Sequence, residues 1–442
     1  MPFDLASLEA RLLAPLPDLS RLSAEEQMAL IEEKAAPGES IVTKGRLLKR
    51  LKDSVAAKKP LRFKLGIDAT MSSLHLGHAI PLINLRRIMK MGHEVDLIFG
   101  DFTAMIGDSG GRMEERPALT AEQVKVNVAT FGEQASKVLD LKAKGLTVHY
   151  NSTWLGKLTL ADWVKVTKGI GINALMQRED FRKRIEAGQP LSLAEASYAL
   201  LMGYDSMVLR TDVEVGGMDQ FLNFHFCRNM MEASGQEPES FVCFDLLPGT
   251  TGERDEQGRL KKMSKTGGNH IPVLAEPADH YGKVMSVPDD VMWIWFQGLT
   301  EIRTPELAAL KAEVAEGRLH PKDAKRLLAR VVVATFHHYD LAVVGAAQAA
   351  YDQKFGAGKK LVPDDVKEVP LSGHVTVLDA LRSATGESAS QVRRWIEQKG
   401  LQLVDIETQT YVPQEDPWLR LPAQDLQGQV VKVGKRNYYR FI

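Results

Sequence analysis

His75-Leu76-Gly77-His78 sets two imidazoles three residues apart, just after an apolar segment at 61–67 that patterns as a strand. At the start of a helix this spacing puts both rings on one face. The backbone N–H groups beside them have no acceptor within the helix and attract anions. Far downstream, Lys262-Met263-Ser264-Lys265-Thr266 carries two ammonium groups, with Gly258, Gly267 and Gly268 around them to let the backbone move. Paired N–H donors and paired cations suit a polyphosphate. Attack at an α-phosphorus builds charge on its oxygens and on the departing pyrophosphate, and positioned donors stabilise that charge. Either motif alone is weak: H-x-x-H also suits zinc, though no compelling third ligand lies nearby, and surface lysines are usually solvated. Their order along the chain, with strand–helix alternation between them, gives the pair its weight.

The elements that must carry these groups follow from the pattern of apolar residues. Strands are expected at 61–67, 94–99, 146–150, 213–215 and 241–244, with helices at about 75–91 and 120–140 among them. Such alternation predicts an α/β fold with a doubly wound, mostly parallel sheet, whose ligands bind at the carboxyl ends of the strands. His75, Asp108, Asn151 and Gln220 each lie just beyond such an end. Residues 1–60 read as a helical lead-in with a solvated basic run from Lys44 to Lys59, and 61–286 as the catalytic domain. Residues 287–355 read as a helical domain, 356–373 as a linker and 374–442 as a small α+β module.

A chain of 442 residues, 44% hydrophobic and 26% charged, has the composition of a multidomain globular protein. Its net charge of -1 excludes a general basic field, so nucleic-acid contact would need local patches. Cys227 and Cys243 are the only cysteines, too few for a disulfide scaffold. Neither a signal-peptide pattern nor an apolar run of about 20 residues is present, so a cytoplasmic protein without membrane contact is expected. Gly107-Asp108-Ser109-Gly110-Gly111 spells the nucleophile segment of chymotrypsin-like proteases. That chemistry belongs to all-β, disulfide-braced frames, and this α/β pattern argues against it.

The two motifs resemble the HIGH and KMSKS signatures of class I aminoacyl-tRNA synthetases, and the flanking sequence resembles the tyrosyl-tRNA synthetases of bacterial type. The resemblance covers nearly the whole chain. It implies a Rossmann-like catalytic domain, a helical anticodon-binding domain, and an S-four-like RNA-binding domain at the end. It gives His75, His78, Lys262 and Lys265 catalytic roles, with Arg112 and Arg116 on a loop that steadies pyrophosphate. Gly77, Asp68, Thr70, Asp219, Gly217, Met263 and Ser264 would bind ATP, with Mg2+ accompanying the pyrophosphate and no protein metal site. Tyr198-Ala199-Leu200-Leu201-Met202-Gly203-Tyr204-Asp205 resembles the family's amino-acid pocket motif. There Asp205 would accept from the substrate phenol, while Tyr198 and Asp108 hold the ammonium and Gln220 lies near the substrate's main-chain atoms. Discrimination against phenylalanine would follow because a missing hydroxyl leaves the pocket's own polar group unpaired. The implied partners are tyrosine, ATP and tRNA-Tyr, with a homodimer bridged by one tRNA.

Several positions depart from the family pattern. Met202 stands where a glutamine usually contacts the ammonium, and a thioether is a poor acceptor. Lys64 occupies a position where some members place a tyrosine near the phenol. Ala69 replaces a proline, Phe221 replaces a common basic residue, and Thr266 replaces the last serine of KMSKS. These changes keep a second reading open: a divergent paralogue for a tyrosine-like amino acid or another acceptor. From another class comes a catalytically silent RNA-binding protein. Segment 374–442 has nine Lys/Arg against eight Asp/Glu, so charge alone does not decide for RNA. Clusters at Arg393-Arg394 and at Lys432, Lys435 and Arg436 are the candidate phosphate contacts.

Overall fold

The computed structural model describes residues 3–108, 119–176, 178–355, 366–405, 410–434 and 437–442. Two compact units divide the chain, residues 1–348 and 349–442.

In the first unit, β1 (Ile41–Val42), β2 (Arg62–Asp68), β3 (Glu94–Gly100), β4 (Leu146–Tyr150), β5 (Val213–Gly217) and β6 (Ser240–Phe244) form one sheet in the order β1-β6-β5-β2-β3-β4. All pairings are parallel except β1 with β6. Strands β3 and β6 are buried nearly throughout, as expected of a sheet covered on both faces. Strand β2 is central and carries both kinds of residue. Phe63 and Leu65 are buried on one face, while Arg62, Lys64, Gly66 and Asp68 alternate onto the other. The sheet order reverses beside β2, and the carboxyl ends of β2 and β5 form the crevice where such sheets bind ligands.

Helix Leu76–Lys90 follows β2, and its buried face includes Ile80, Ile83, Leu85 and Ile88. Helices Leu193–Leu209 and Phe221–Ala233 pack against each other beside β5. The lead-in folds as three helices, Leu5–Leu12, Ala24–Lys34 and Lys44–Ala57, and it adds β1, which sequence patterning did not foresee. A two-residue strand carries too little periodicity to be read. Helices Met292–Leu299, Thr304–Ala315 and Pro321–Phe336 belong to the same compact unit as the sheet. They are fastened to it by polar ties. The Lys34 ammonium donates to the carbonyls of Gln297, Thr300 and Ile302, at 3.0, 2.9 and 2.8 Å, and so caps the end of helix Met292–Leu299. Glu301 receives the guanidinium groups of Arg86 and Arg87 from the far end of helix Leu76–Lys90.

The second unit has a five-stranded sheet in the order β7-β11-β10-β8-β9: β7 (Lys367–Val369), β8 (Leu401–Asp405), β9 (Thr410–Pro413), β10 (Val430–Val433) and β11 (Asn437–Phe441). Helices Val377–Thr385 and Ala389–Glu397 complete it. Its own core is built on Val377, Leu381, Val392, Leu401, Val431 and Phe441.

Candidate active site

His75 is the N-cap of helix Leu76–Lys90 in extended backbone, and His78 is the third helical residue. The rings stack at 3.8 Å, and the His75 backbone N–H donates to His78 Nδ1 at 3.2 Å. That bond assigns the His78 ring proton to Nε2. A side chain at residue 77 would come within 3.0 Å of the His75 ring, so glycine is what lets the helix start beneath it. Burial, reinforced by His78, His270, Lys265 and Lys262, pushes the His75 imidazole down to about 2. Desolvation brings His78 down to about 4, with Asp219 opposing and both lysines reinforcing. At neutral pH both rings are therefore uncharged, each with one N–H to offer.

The same interactions show that the two distant motifs converge. Residues 271–273 run antiparallel to 74–76: the Leu76 N–H donates to Ile271 O and the Val273 N–H to Leu74 O, both at 3.0 Å. Lysines 262 and 265 lie immediately upstream of that ladder. Lys262 is half exposed and pairs with Asp219 at 3.1 Å. Met263 is buried and its N–H donates to Leu247 O at 2.7 Å, while the Ser264 N–H donates to Asn269 Oδ1 at 2.9 Å. Gly217 closes β5 just before Asp219, and Thr70 is partly exposed in the turn after β2.

Asp68 ends β2 and accepts from Thr103 Oγ1 at 2.6 Å. A side chain at Gly100 would lie 2.2 Å from that carboxylate, so the neighbouring strand has to end in glycine. Tyr198 is buried, and burial followed by Asp68 and Asp108 holds its phenol well above its ordinary range. Asp108 accepts from Gln220 Nε2 at 3.1 Å and from Asn223 Nδ2 at 3.4 Å.

Asp205 lies within helix Leu193–Leu209, 4% exposed, and accepts from Trp154 Nε1 at 2.7 Å and Asn151 Nδ2 at 3.2 Å. Burial raises its carboxyl to about 7, against the pull of Lys64, Trp154 and Asn151. Lys64 is deeper than its sequence position suggested. Its ammonium meets Glu214 at 2.7 Å, Ser206 Oγ at 2.5 Å and Met202 O at 3.3 Å. Burial works against that charge, but Glu214 and Glu239 outweigh it and keep Lys64 protonated. Burial and then Glu214 push the Glu239 carboxyl well up. Glu214, Cys227 and Glu239 bring ligand-type atoms within 4.8 Å of one another, and the Lys64 ammonium supplies a cation at Glu214 there. The Met202 side chain packs against the Phe224, Phe241 and Cys243 cluster, an apolar role.

Sequence reasoning missed Trp154, Arg178, Asn223, Glu214 and Glu239. Asn151 was noticed only for its place after β4. Arg112 and Arg116 lie outside the described residues, as do Lys435 and Arg436. In the second unit, Arg394 is exposed and Arg393 is paired with Asp416 at 3.1 Å. The Lys432 ammonium lies 4.1 Å from the Tyr411 ring centroid.

A stacked imidazole pair at a helix start, a lysine loop beside it and a parallel-sheet crevice fit an amino-acid-activating enzyme of the class I synthetase type. Residues 56–352 match the family model of class I tRNA synthetases (W and Y), and the chain belongs to that family. The tyrosine–tRNA ligase of Desulfotalea psychrophila is 37% identical over 95% of this chain and 98% of its own length. That of Moorella thermoacetica is 38% identical over 90% and 92%. Among solved structures, a C-terminally truncated mitochondrial tyrosyl-tRNA synthetase of Aspergillus nidulans has the same fold, with a TM-score of 0.61 at 20% identity, over 79% of this chain and 99% of that one. The Archaeoglobus fulgidus tyrosyl-tRNA synthetase complexed with L-tyrosine gives 0.56 at 18%, over 73% and 100%.

Proposed function

We propose that this chain is an ATP-dependent tyrosine–tRNA ligase working in two steps. A tyrosine carboxylate oxygen attacks the α-phosphorus of ATP, the bond to the bridging oxygen breaks, and pyrophosphate leaves. A hydroxyl of the terminal tRNA adenosine then attacks the activated carbonyl carbon, and AMP leaves. One observation carries the reading: the neutral imidazole pair and the lysine loop share a backbone ladder at the mouth of the crevice.

In this reading His75 and His78 donate to the reacting phosphate, and Lys262 and Lys265 neutralise the leaving pyrophosphate. Gly77, Asp68, Thr70, Asp219, Gly217, Met263 and Ser264 bind ATP, and Arg112 and Arg116 assist with pyrophosphate. The phosphate-facing groups are cations and N–H donors. They suit phosphate oxygens and offer no cation site, so Mg2+ would be held by the nucleotide's own phosphates and would supply charge compensation for pyrophosphate. Asp205 accepts the phenol, with Lys64 beneath it holding the pocket floor, while Tyr198, Asp108 and Gln220 hold the amino-acid main chain. Arg393, Arg394, Lys432, Lys435 and Arg436 contact tRNA, and the chain works as a cytoplasmic homodimer. No described helix is long and apolar enough to cross a membrane.

ATP–pyrophosphate exchange with tyrosine and a panel of ring-substituted analogues tests this. Exchange with tyrosine is expected. Exchange only with an analogue would favour the paralogue reading that Met202 motivates, and exchange with no amino acid would leave a silent RNA-binding protein.

A further inference from the structure

We infer that Arg178 and Asn223 are positioning residues that aim the Asp108 carboxylate at the α-ammonium of the amino-acid substrate, doing work that Met202 cannot do. The inference rests on the tyrosine-pocket reading of Asp108 above.

A guanidinium only donates, so it dictates how neighbouring amides face. Arg178 Nη1 donates to Asn223 Oδ1 at 2.7 Å. The Asn223 amide must then turn its Nδ2 away, and it donates to Gln220 Oε1 at 2.9 Å and Asp108 Oδ2 at 3.4 Å. Gln220, now accepting at Oε1, presents Nε2 to the same Asp108 oxygen at 3.1 Å. Two amide orientations are thus fixed between one cation and one carboxylate. Both amides converge on Oδ2, and Oδ1 accepts no hydrogen bond among the described residues.

The charges add up in the substrate's favour. Arg178 lies 3.7 Å from Asp108 Oδ1, but its Nε and Nη2 grip both oxygens of Asp180 at 3.1 and 2.9 Å. Its two hydrogen bonds to Asp180 leave Asp108 Oδ1 at ion-pair distance, accepting no hydrogen bond among the described residues and available to an incoming ammonium. Asn223 is 1% exposed, and the Arg178 guanidinium sits 4.3 Å from the Phe181 ring centroid, so the relay is rigid. Without Arg178 the Asn223 Oδ1 loses its donor, and only the acceptors at the other end, Asp108 and Gln220, still hold the amide in place.

The test measures binding of two half-substrates to the intact chain by calorimetry. Tyramine has the amine without the carboxylate, and 3-(4-hydroxyphenyl)propionate has the carboxylate without the amine. In Arg178→Lys and in Asn223→Leu, the tyramine Kd should rise by about tenfold or more, the scale of a hydrogen bond to a charged group. The Kd for the propionate should stay within about twofold. Asn223→Leu leaves the Arg178–Asp180 pair intact and carries the comparison if Arg178→Lys does not fold. Equal weakening of both ligands, or unchanged tyramine binding, overturns the inference. A wild-type chain that binds neither analogue would instead sink the tyrosine-pocket reading and this inference with it.

Discussion

The ionisation of individual side chains decides what this pocket can do. Asp205 accepts from a phenol most strongly as a carboxylate, and burial raises it to about 7. Below that pH it fills with protons, so kcat/KM for tyrosine should fall by about tenfold per pH unit, while the KM for ATP stays flat. A pH profile of pyrophosphate exchange would check this, and a flat profile down to pH 5 would count against Asp205 as the acceptor. Replacing the acceptor has a related effect. Asp205→Asn should narrow the preference for tyrosine over phenylalanine by about 10–100-fold, the value of a hydrogen bond to a charged group. At the nucleotide end, Lys265→Ala should slow adenylate formation by about 10²–10³-fold with tyrosine affinity nearly unchanged, since its charge is needed where charge develops. Stopped-flow measurement of the first turnover separates the two terms.

Among elements, helix Leu76–Lys90 ties the chemistry to the rest of the first unit. It begins at the imidazole pair and ends in Arg86 and Arg87, both held by Glu301. Burial works against the Glu301 carboxylate, but Arg87 and Arg86 outweigh it and hold the group down at about 2. Its contribution to stability is therefore present above the ordinary carboxyl range and lost as pH falls toward 2. Glu301→Gln leaves two guanidinium groups without their buried anion and should cost about 3–5 kcal/mol at pH 7, read by denaturant unfolding. The elements were also where sequence reading succeeded and failed. The five longer sheet strands were legible because each is an apolar run after a turn, and His75, His78 and the lysines because their spacing is a motif. Lys64 and Glu214 were not, since a charged residue within a strand reads as a solvent-facing alternation until both neighbouring strands are in place. Trp154 and Arg178 stand 51 and 70 residues away from the aspartates they serve, and no local pattern reports such a pairing.

For the molecule as a whole, the second unit has a core of its own, so substitutions on its surface leave that core in place. Arg394→Glu with Lys432→Glu should lower kcat/KM for tRNA charging and flatten its salt dependence by about one unit of log–log slope per lost contact. Pyrophosphate exchange, which needs no tRNA, should be unchanged. A parallel fall in exchange would mean that the two units are energetically linked.

The ladder between 271–273 and 74–76 also makes the two loop lysines unequal. Downstream, the loop is stitched to the first histidine. Upstream, Lys262 is pinned by the bridge between Pro248 and Lys262 and by the Met263 amide. Between them, residues 264 to 268 form a turn closed on itself, the Gly268 N–H donating to Lys265 O at 3.0 Å with Gly268 at φ 62. Lys262 is accordingly fixed by a bridge between two extended segments, whereas Lys265 rides on a short turn moored through Ser264 and Asn269.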